Sequence, residues 1–254
     1  MHLPTPEAVV DTAAQAASDR RRLQRALNAS LAFVLLLCAT FVAQQGFDWS
    51  PWAIAPHAWR GLAGVLTAPL LHGSPEHLGA NAVSLLLLGT LAGTVYPRAT
   101  LRALPLVWIG SGLAAWAFGD AGTHHLGASG VSHGLMFLVF VLGLLRRDRP
   151  AIAAAMIAFF LYGGMLLTVL PHEPGVSWQA HLGGAIAGAI AAVWLRRVDP
   201  SSPRKRYDWE SDDAVPPIGD ATELELPRPD DVPVLWHRPA TARVTRLEKV
   251  PRND

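Results

Sequence analysis

The stretch Ala121–Leu145, AGTHHLGASGVSHGLMFLVFVLGLL, decides the fold, because it contains no Asp, Glu, Lys or Arg from end to end. A helix rises about 1.5 Å per residue and a bilayer's hydrocarbon layer is about 30 Å thick, so roughly 20 such residues cross it. Five further windows pass the same test: Ala26–Phe47, His77–Pro97, Ala103–Gly119, Pro150–His172 and Pro174–Leu195. The composition agrees, since 51% of the 254 residues are hydrophobic and only 16% are charged, too apolar for an ordinary soluble chain. These windows predict an all-α membrane protein of six transmembrane helices. A seventh apolar window, Gly61–Pro75, is short and broken by Gly61, Gly64, Pro69 and Gly73, and reads as a first loop lying at the membrane interface.

Charge placement tests the count of six. Arg20, Arg21, Arg22 and Arg25 precede the first window, Arg98 and Arg102 join the second to the third, Arg146, Arg147 and Arg149 join the fourth to the fifth, and Arg196 and Arg197 follow the sixth. With six spans all of these fall on one side, which the tendency of Lys and Arg to stay inside makes cytoplasmic, with both termini. The opposite loops hold Arg60 among Asp48, Glu76, Asp120 and Glu173. A seventh span would destroy this asymmetry. The expected organisation is a cytoplasmic arm (1–25), a six-helix domain (26–198) and a cytoplasmic tail (199–254) whose nine prolines and mixed charges predict disorder. The single cysteine, Cys38, lies inside the first window and excludes an intramolecular disulfide. Nothing in the charge pattern points to nucleic acid.

Two of the windows open with chemistry. Gly127-Ala128-Ser129-Gly130 stands near the start of the fourth helix, and Ala180-His181-Leu182-Gly183-Gly184 near the start of the sixth. Both helices run from outside to inside, so Ser129 and His181 lie at similar depth and can meet. A serine hydroxyl becomes a nucleophile when a base removes its proton, and the pair therefore suggests covalent catalysis. Gly184 and Gly188 follow His181 on its own helix face, where small residues let another helix approach closely. His77 and Asn81 lie one turn apart on the second helix, with His72 just before it. Acyl transfer needs hydrogen-bond donors for the oxyanion of its tetrahedral intermediate. Asn81 is the leading donor, joined by His77 and the backbone N–H of Ser129. His133, one turn after Ser129, is a rival base on geometry alone.

With these residues in view the chain resembles a rhomboid intramembrane serine protease. The family pattern His-x4-His-x3-Asn reads here His72, His77 and Asn81; Gly-x-Ser-Gly reads Gly127, Ser129 and Gly130; Ala-His-x2-Gly-x3-Gly reads His181, Gly184 and Gly188. The match covers about 26–197. The resemblance implies a rhomboid-like bundle in which Ser129 is the nucleophile and His181 the base, without a carboxylate. It assigns oxyanion support to His77 and Asn81, organisation of the adjoining loop and water to His72, and no cofactor or metal. His133 takes the place of the aromatic residue that many members stack on the catalytic histidine, and a first-loop Trp-Arg pair is present as Trp59-Arg60, farther from His72 than in the family's best-known form. The implied function is cleavage of transmembrane segments of membrane proteins near the outer surface of the inner membrane. The alternative is a pseudoprotease that binds or remodels membrane proteins without cutting them. His124, His125 and His172, in the outer loops, read as solvated.

Overall fold

The computed structural model describes residues 12–171 and 175–200. Its helices are α1 (Thr12–Ala43), a one-turn α2 (Gly64–Thr67), α3 (Pro75–Val95), α4 (Pro97–Phe118), α5 (Ser129–Arg146), α6 (Arg149–Tyr162) and α7 (Trp178–Leu195). All but α2 belong to segments long and apolar enough to cross a membrane, six in all. The chain is therefore an all-α, multi-pass membrane protein, with no strand among the described residues. Large apolar side chains such as Leu35, Val83, Phe160 and Trp194 face outward, as expected where the surrounding solvent is hydrocarbon.

Each boundary has a local cause. Ser74 caps α3 by accepting the His77 N–H at 3.1 Å, with Pro75 in the first turn where no N–H is needed. Asp148 caps α6 in the same way through Ala151, again with a proline beside it. Several boundaries differ from the apolar windows; α6, for one, ends at Tyr162, ten residues before the end of its window. α1 begins at Thr12, so residues 12–25 of the expected arm are the first turns of one continuous helix, whereas 1–11 lie outside the described residues. The first part of the fourth window is not helical: it runs alongside the first loop, where Ile54 and His125 exchange backbone hydrogen bonds of 2.9 Å, and the helix starts only at Ser129.

Of the expected tail, only Asp199 and Pro200 fall within the described residues. Asp199 is buried, and its carboxylate accepts the N–H groups of Arg98 and Ala99 at 3.0 and 2.9 Å, satisfying donors that the first turn of α4 leaves over. Arg146 donates to the Asp199 carbonyl at 2.9 Å and pairs with Asp148 at 3.2 Å, tying the ends of α5 and α7 together. Asp199→Ala is expected to lower stability by about 1–2 kcal/mol, the scale of a lost helix cap, seen as a lower melting temperature in detergent.

α5 is the central helix, with 61% of its span buried, and α7 packs chiefly on it and on α4. Lipid supplies no hydrophobic drive between helices, so their approach depends on small residues. A methyl group built on Gly184 would collide with the Gly130 carbonyl, and one on Gly188 with the Gly134 carbonyl. These two glycines set the spacing between α5 and α7.

The first loop, 44–74, folds back into the bundle rather than crossing it. Trp116 donates to the Ala58 carbonyl at 2.9 Å and Trp108 to that of Leu66 at 3.2 Å. Trp59 is 83% exposed and leans on Trp116, with Arg60 beside it at the surface, so neither reaches the polar residues at the starts of α3, α5 and α7.

Candidate active site

Ser129 occupies the first position of α5 because the chain turns sharply just before it. Gly127 has φ +107°, a conformation that disfavours any side chain, and its N–H donates to the Ala68 carbonyl at 2.9 Å. A Cβ on Gly127 would lie 2.5 Å from the His77 ring and 3.5 Å from Asn81 Nδ2. The bare backbone therefore lets α3's polar face press against the turn that delivers the serine. As in any helix, the first N–H groups of α5 have no acceptor within it, so the Ser129 N–H is a free donor by geometry. Asn81 Nδ2 is buried and has no hydrogen-bond partner. Asn81 and Ser129 lie on the wall of one open cavity of about 1130 Å³, which His77, His133, Thr168 and His181 also line.

The Ser129 Oγ lies 2.8 Å from His181 Nε2. On the far side of the ring, Nδ1 lies 3.0 Å from the Thr168 carbonyl oxygen. A carbonyl only accepts, so Nδ1 carries the proton and Nε2 presents its lone pair to the serine hydroxyl. A backbone carbonyl here does the orienting that a carboxylate does in a Ser-His-Asp triad. The arrangement can pass the serine proton to the imidazole and hold it there.

His133 does not reach the hydroxyl. Its Nδ1 bonds the Ser129 carbonyl at 2.7 Å and its Nε2 the Thr168 hydroxyl at 2.8 Å. Its ring lies flat on that of His181, with centroids 3.9 Å apart and planes 12° apart. Of the two imidazoles, only His181, where the motif puts the base, bonds the Ser129 hydroxyl, while His133 bonds the Ser129 carbonyl.

The other predicted residues lie around this core. Gly130 packs toward Ser111 and the Ala180 carbonyl, and Gly184 and Gly188 against α5. His72 stands behind the cavity, fully buried, its ring edge-on to His77 with centroids 5.2 Å apart. Its backbone N–H donates to the Gln44 side chain at 3.1 Å, and the Gln44 amide donates back to its carbonyl. Both ring nitrogens of His72 lack a partner, and burial, with His77 nearby, pushes its pKa down to about 4.

Three features were missed in the sequence. Thr168 sits in an apolar run after α6 that no motif marks. Gln44 sits at the end of the first span with no spacing to link it to His72. His125, read as solvated, is half-buried and bonds Ser177 at 2.6 Å and Thr123 at 3.0 Å, which joins the extended segment before α5 to the loop before α7. Burial lowers its pKa. His172 lies outside the described residues.

Residues 56–198 match the family model described as Rhomboid domain. An uncharacterized protein of Mycobacterium tuberculosis strain H37Rv is 41% identical over 150 residues, 56% of this chain and 62% of its own length. An uncharacterized protein of Mycobacterium leprae is 40% identical over 142 residues, 53% of this chain and 56% of its own. The match thus spans less than two thirds of either relative.

Proposed function

This chain belongs to the rhomboid family, and from that premise we propose that it is an intramembrane serine endopeptidase that cuts transmembrane segments of other membrane proteins. The observation that carries the reading is the 2.8 Å contact between Ser129 Oγ and a His181 nitrogen whose opposite nitrogen is held by a carbonyl. The arginine-rich helix ends are assigned to the cytoplasm, with both termini, and the Ser129 end to the outer face of the cell's inner membrane.

A substrate helix comes in laterally between α3 and α6 and unwinds near the outer surface, since a helical peptide bond is shielded by its own hydrogen bonds. His181 Nε2 takes the Ser129 proton as Oγ bonds to the carbonyl carbon. The carbonyl π electrons move onto oxygen, where Asn81, His77 and the Ser129 N–H donate to the negative charge. The C–N bond then breaks, and the proton on His181 passes to the departing amine. Water from the open cavity repeats the sequence on the acyl-enzyme, losing its proton to His181 and freeing the new carboxyl end and Ser129. Pro171, Gly175, Val176 and Ser177 line the cavity and serve as its cap; 172–174, between them, lie outside the described residues.

The test is incubation of the full chain, in detergent and in liposomes, with a fluorophosphonate probe and with a transmembrane test substrate. Labelling and cleavage near the outer end of the substrate helix are expected. A chain that binds the substrate but neither labels nor cuts it is the pseudoprotease. Asn81→Ala should lower the cleavage rate by about 10²–10³-fold, the loss typical of one oxyanion donor, with substrate binding intact. Turnover should also fall as the medium is acidified across about pH 8 to 5, because a protonated His181 has no lone pair to offer; a flat profile would count against an imidazole base.

A further inference from the structure

The stacked imidazoles of His181 and His133 both hang on one residue outside every motif. The Thr168 carbonyl accepts from His181 Nδ1 at 3.0 Å, and the Thr168 hydroxyl lies 2.8 Å from His133 Nε2. His133 Nδ1 returns to the Ser129 carbonyl at 2.7 Å, and His181 Nε2 meets the Ser129 hydroxyl at 2.8 Å, so Ser129, His181, Thr168 and His133 form a closed ring. We propose that Thr168 is the positioning residue of the Ser129–His181 pair, its carbonyl fixing His181 and its hydroxyl holding the stacked His133 neutral. The inference rests on the protease reading for its kinetic consequence, but not for its geometry.

Counting protons shows why the hydroxyl matters. The Ser129 carbonyl only accepts, so His133 Nδ1 carries a proton, and a neutral His133 then has a lone pair on Nε2. The Thr168 hydroxyl has one proton and two acceptors within reach: that lone pair at 2.8 Å and the Met165 carbonyl at 3.1 Å. If the proton went to Met165, His133 Nε2 would need a second proton to bond the hydroxyl oxygen, making the ring a cation. A cation stacked 3.9 Å from His181, centroid to centroid, would oppose the positive charge that His181 gains on taking the serine proton. Donation from Thr168 to His133 keeps the stack neutral until chemistry begins. Because Thr168 comes just after the 3₁₀ turn Gly163–Leu166 that continues from α6, this also ties His181 to the seating of that helix.

The test uses the full chain in detergent. Thr168→Val, which keeps the carbonyl and removes the hydroxyl, should lower kcat and the rate of fluorophosphonate labelling roughly tenfold with KM unchanged, and Thr168→Ser should restore them. In a His133→Phe background the hydroxyl has no nitrogen to bond, so Thr168→Val should change the rate by less than about twofold. A tenfold loss that persists there, or no loss with His133 present, overturns the proposal. Side-chain ¹⁵N spectra of histidine-labelled protein give a readout independent of activity. The unprotonated His133 Nε2, identified by its disappearance in His133→Phe, should move in Thr168→Val toward the position of a nitrogen that accepts no hydrogen bond. If wild type neither labels nor cuts, the protease reading fails, and the ¹⁵N shift alone decides the role of Thr168; an unmoved signal rejects it.

Discussion

Ser129→Ala is expected to abolish fluorophosphonate labelling and to lower cleavage of a transmembrane substrate by on the order of 10⁶-fold, the scale on which serine hydrolases lose rate with their nucleophile. The substitution removes one oxygen atom. Ser129 is half-buried at the first position of α5, and its carbonyl, which anchors His133, is retained in alanine. Alanine is also a good helix former, so the fold should survive with an unchanged melting temperature. Loss of activity in a folded protein separates a chemical role from a structural one. Residual cleavage near the wild-type rate would remove Ser129 as nucleophile, and with it the hydrolytic pathway through His181.

Gly184→Val is expected to produce the largest combined loss of stability and activity from a residue that touches no substrate. A Cβ at Gly184 would run into the carbonyl of Gly130, with that residue's backbone carbon 2.8 Å and its Cα 3.3 Å away. These are backbone atoms, which cannot rotate aside as a side chain can, so α7 must retreat from α5. Overpacking of this kind costs about 1–3 kcal/mol, and valine adds two more carbons beyond the first collision. The displacement falls at the place where it does most harm: Gly184 lies one turn beyond His181, and Gly130 follows Ser129 directly. A misplacement of about 1 Å between reacting groups can cost about 10²-fold in rate, so activity should fall further than stability alone explains. Ile186→Ala, on the 50% exposed outer face of the same helix, should leave both nearly unchanged. Thermal unfolding and probe labelling on the same samples check the pair, and full activity in Gly184→Val would refute the close packing of α5 on α7.

The spans were legible because crossing a bilayer is a demand on composition and length that each segment meets alone. The interruption of Gly61–Pro75 was equally local. Helix starts were less so. Ser129 opens α5, although the charge-free run begins at Ala121, because residues before it are recruited into backbone pairing between Ile54 and His125. Apolarity does not reveal which hydrogen bonds a backbone makes. The same limit hid the role of Asp199, whose carboxylate serves α4 about a hundred positions earlier in the chain.

By itself the sequence determined that this is a six-span helical membrane protein and which polar residues start its helices at one face, because hydrophobic length, arginine placement and motif spacing are properties of single segments. Only the tertiary structure showed which ring bonds the Ser129 hydroxyl, His181 and not His133, and brought in Thr168. Hydrogen-bond direction depends on which carbonyl ends up facing which ring nitrogen, and that follows from how closely two glycine-lined helices pack.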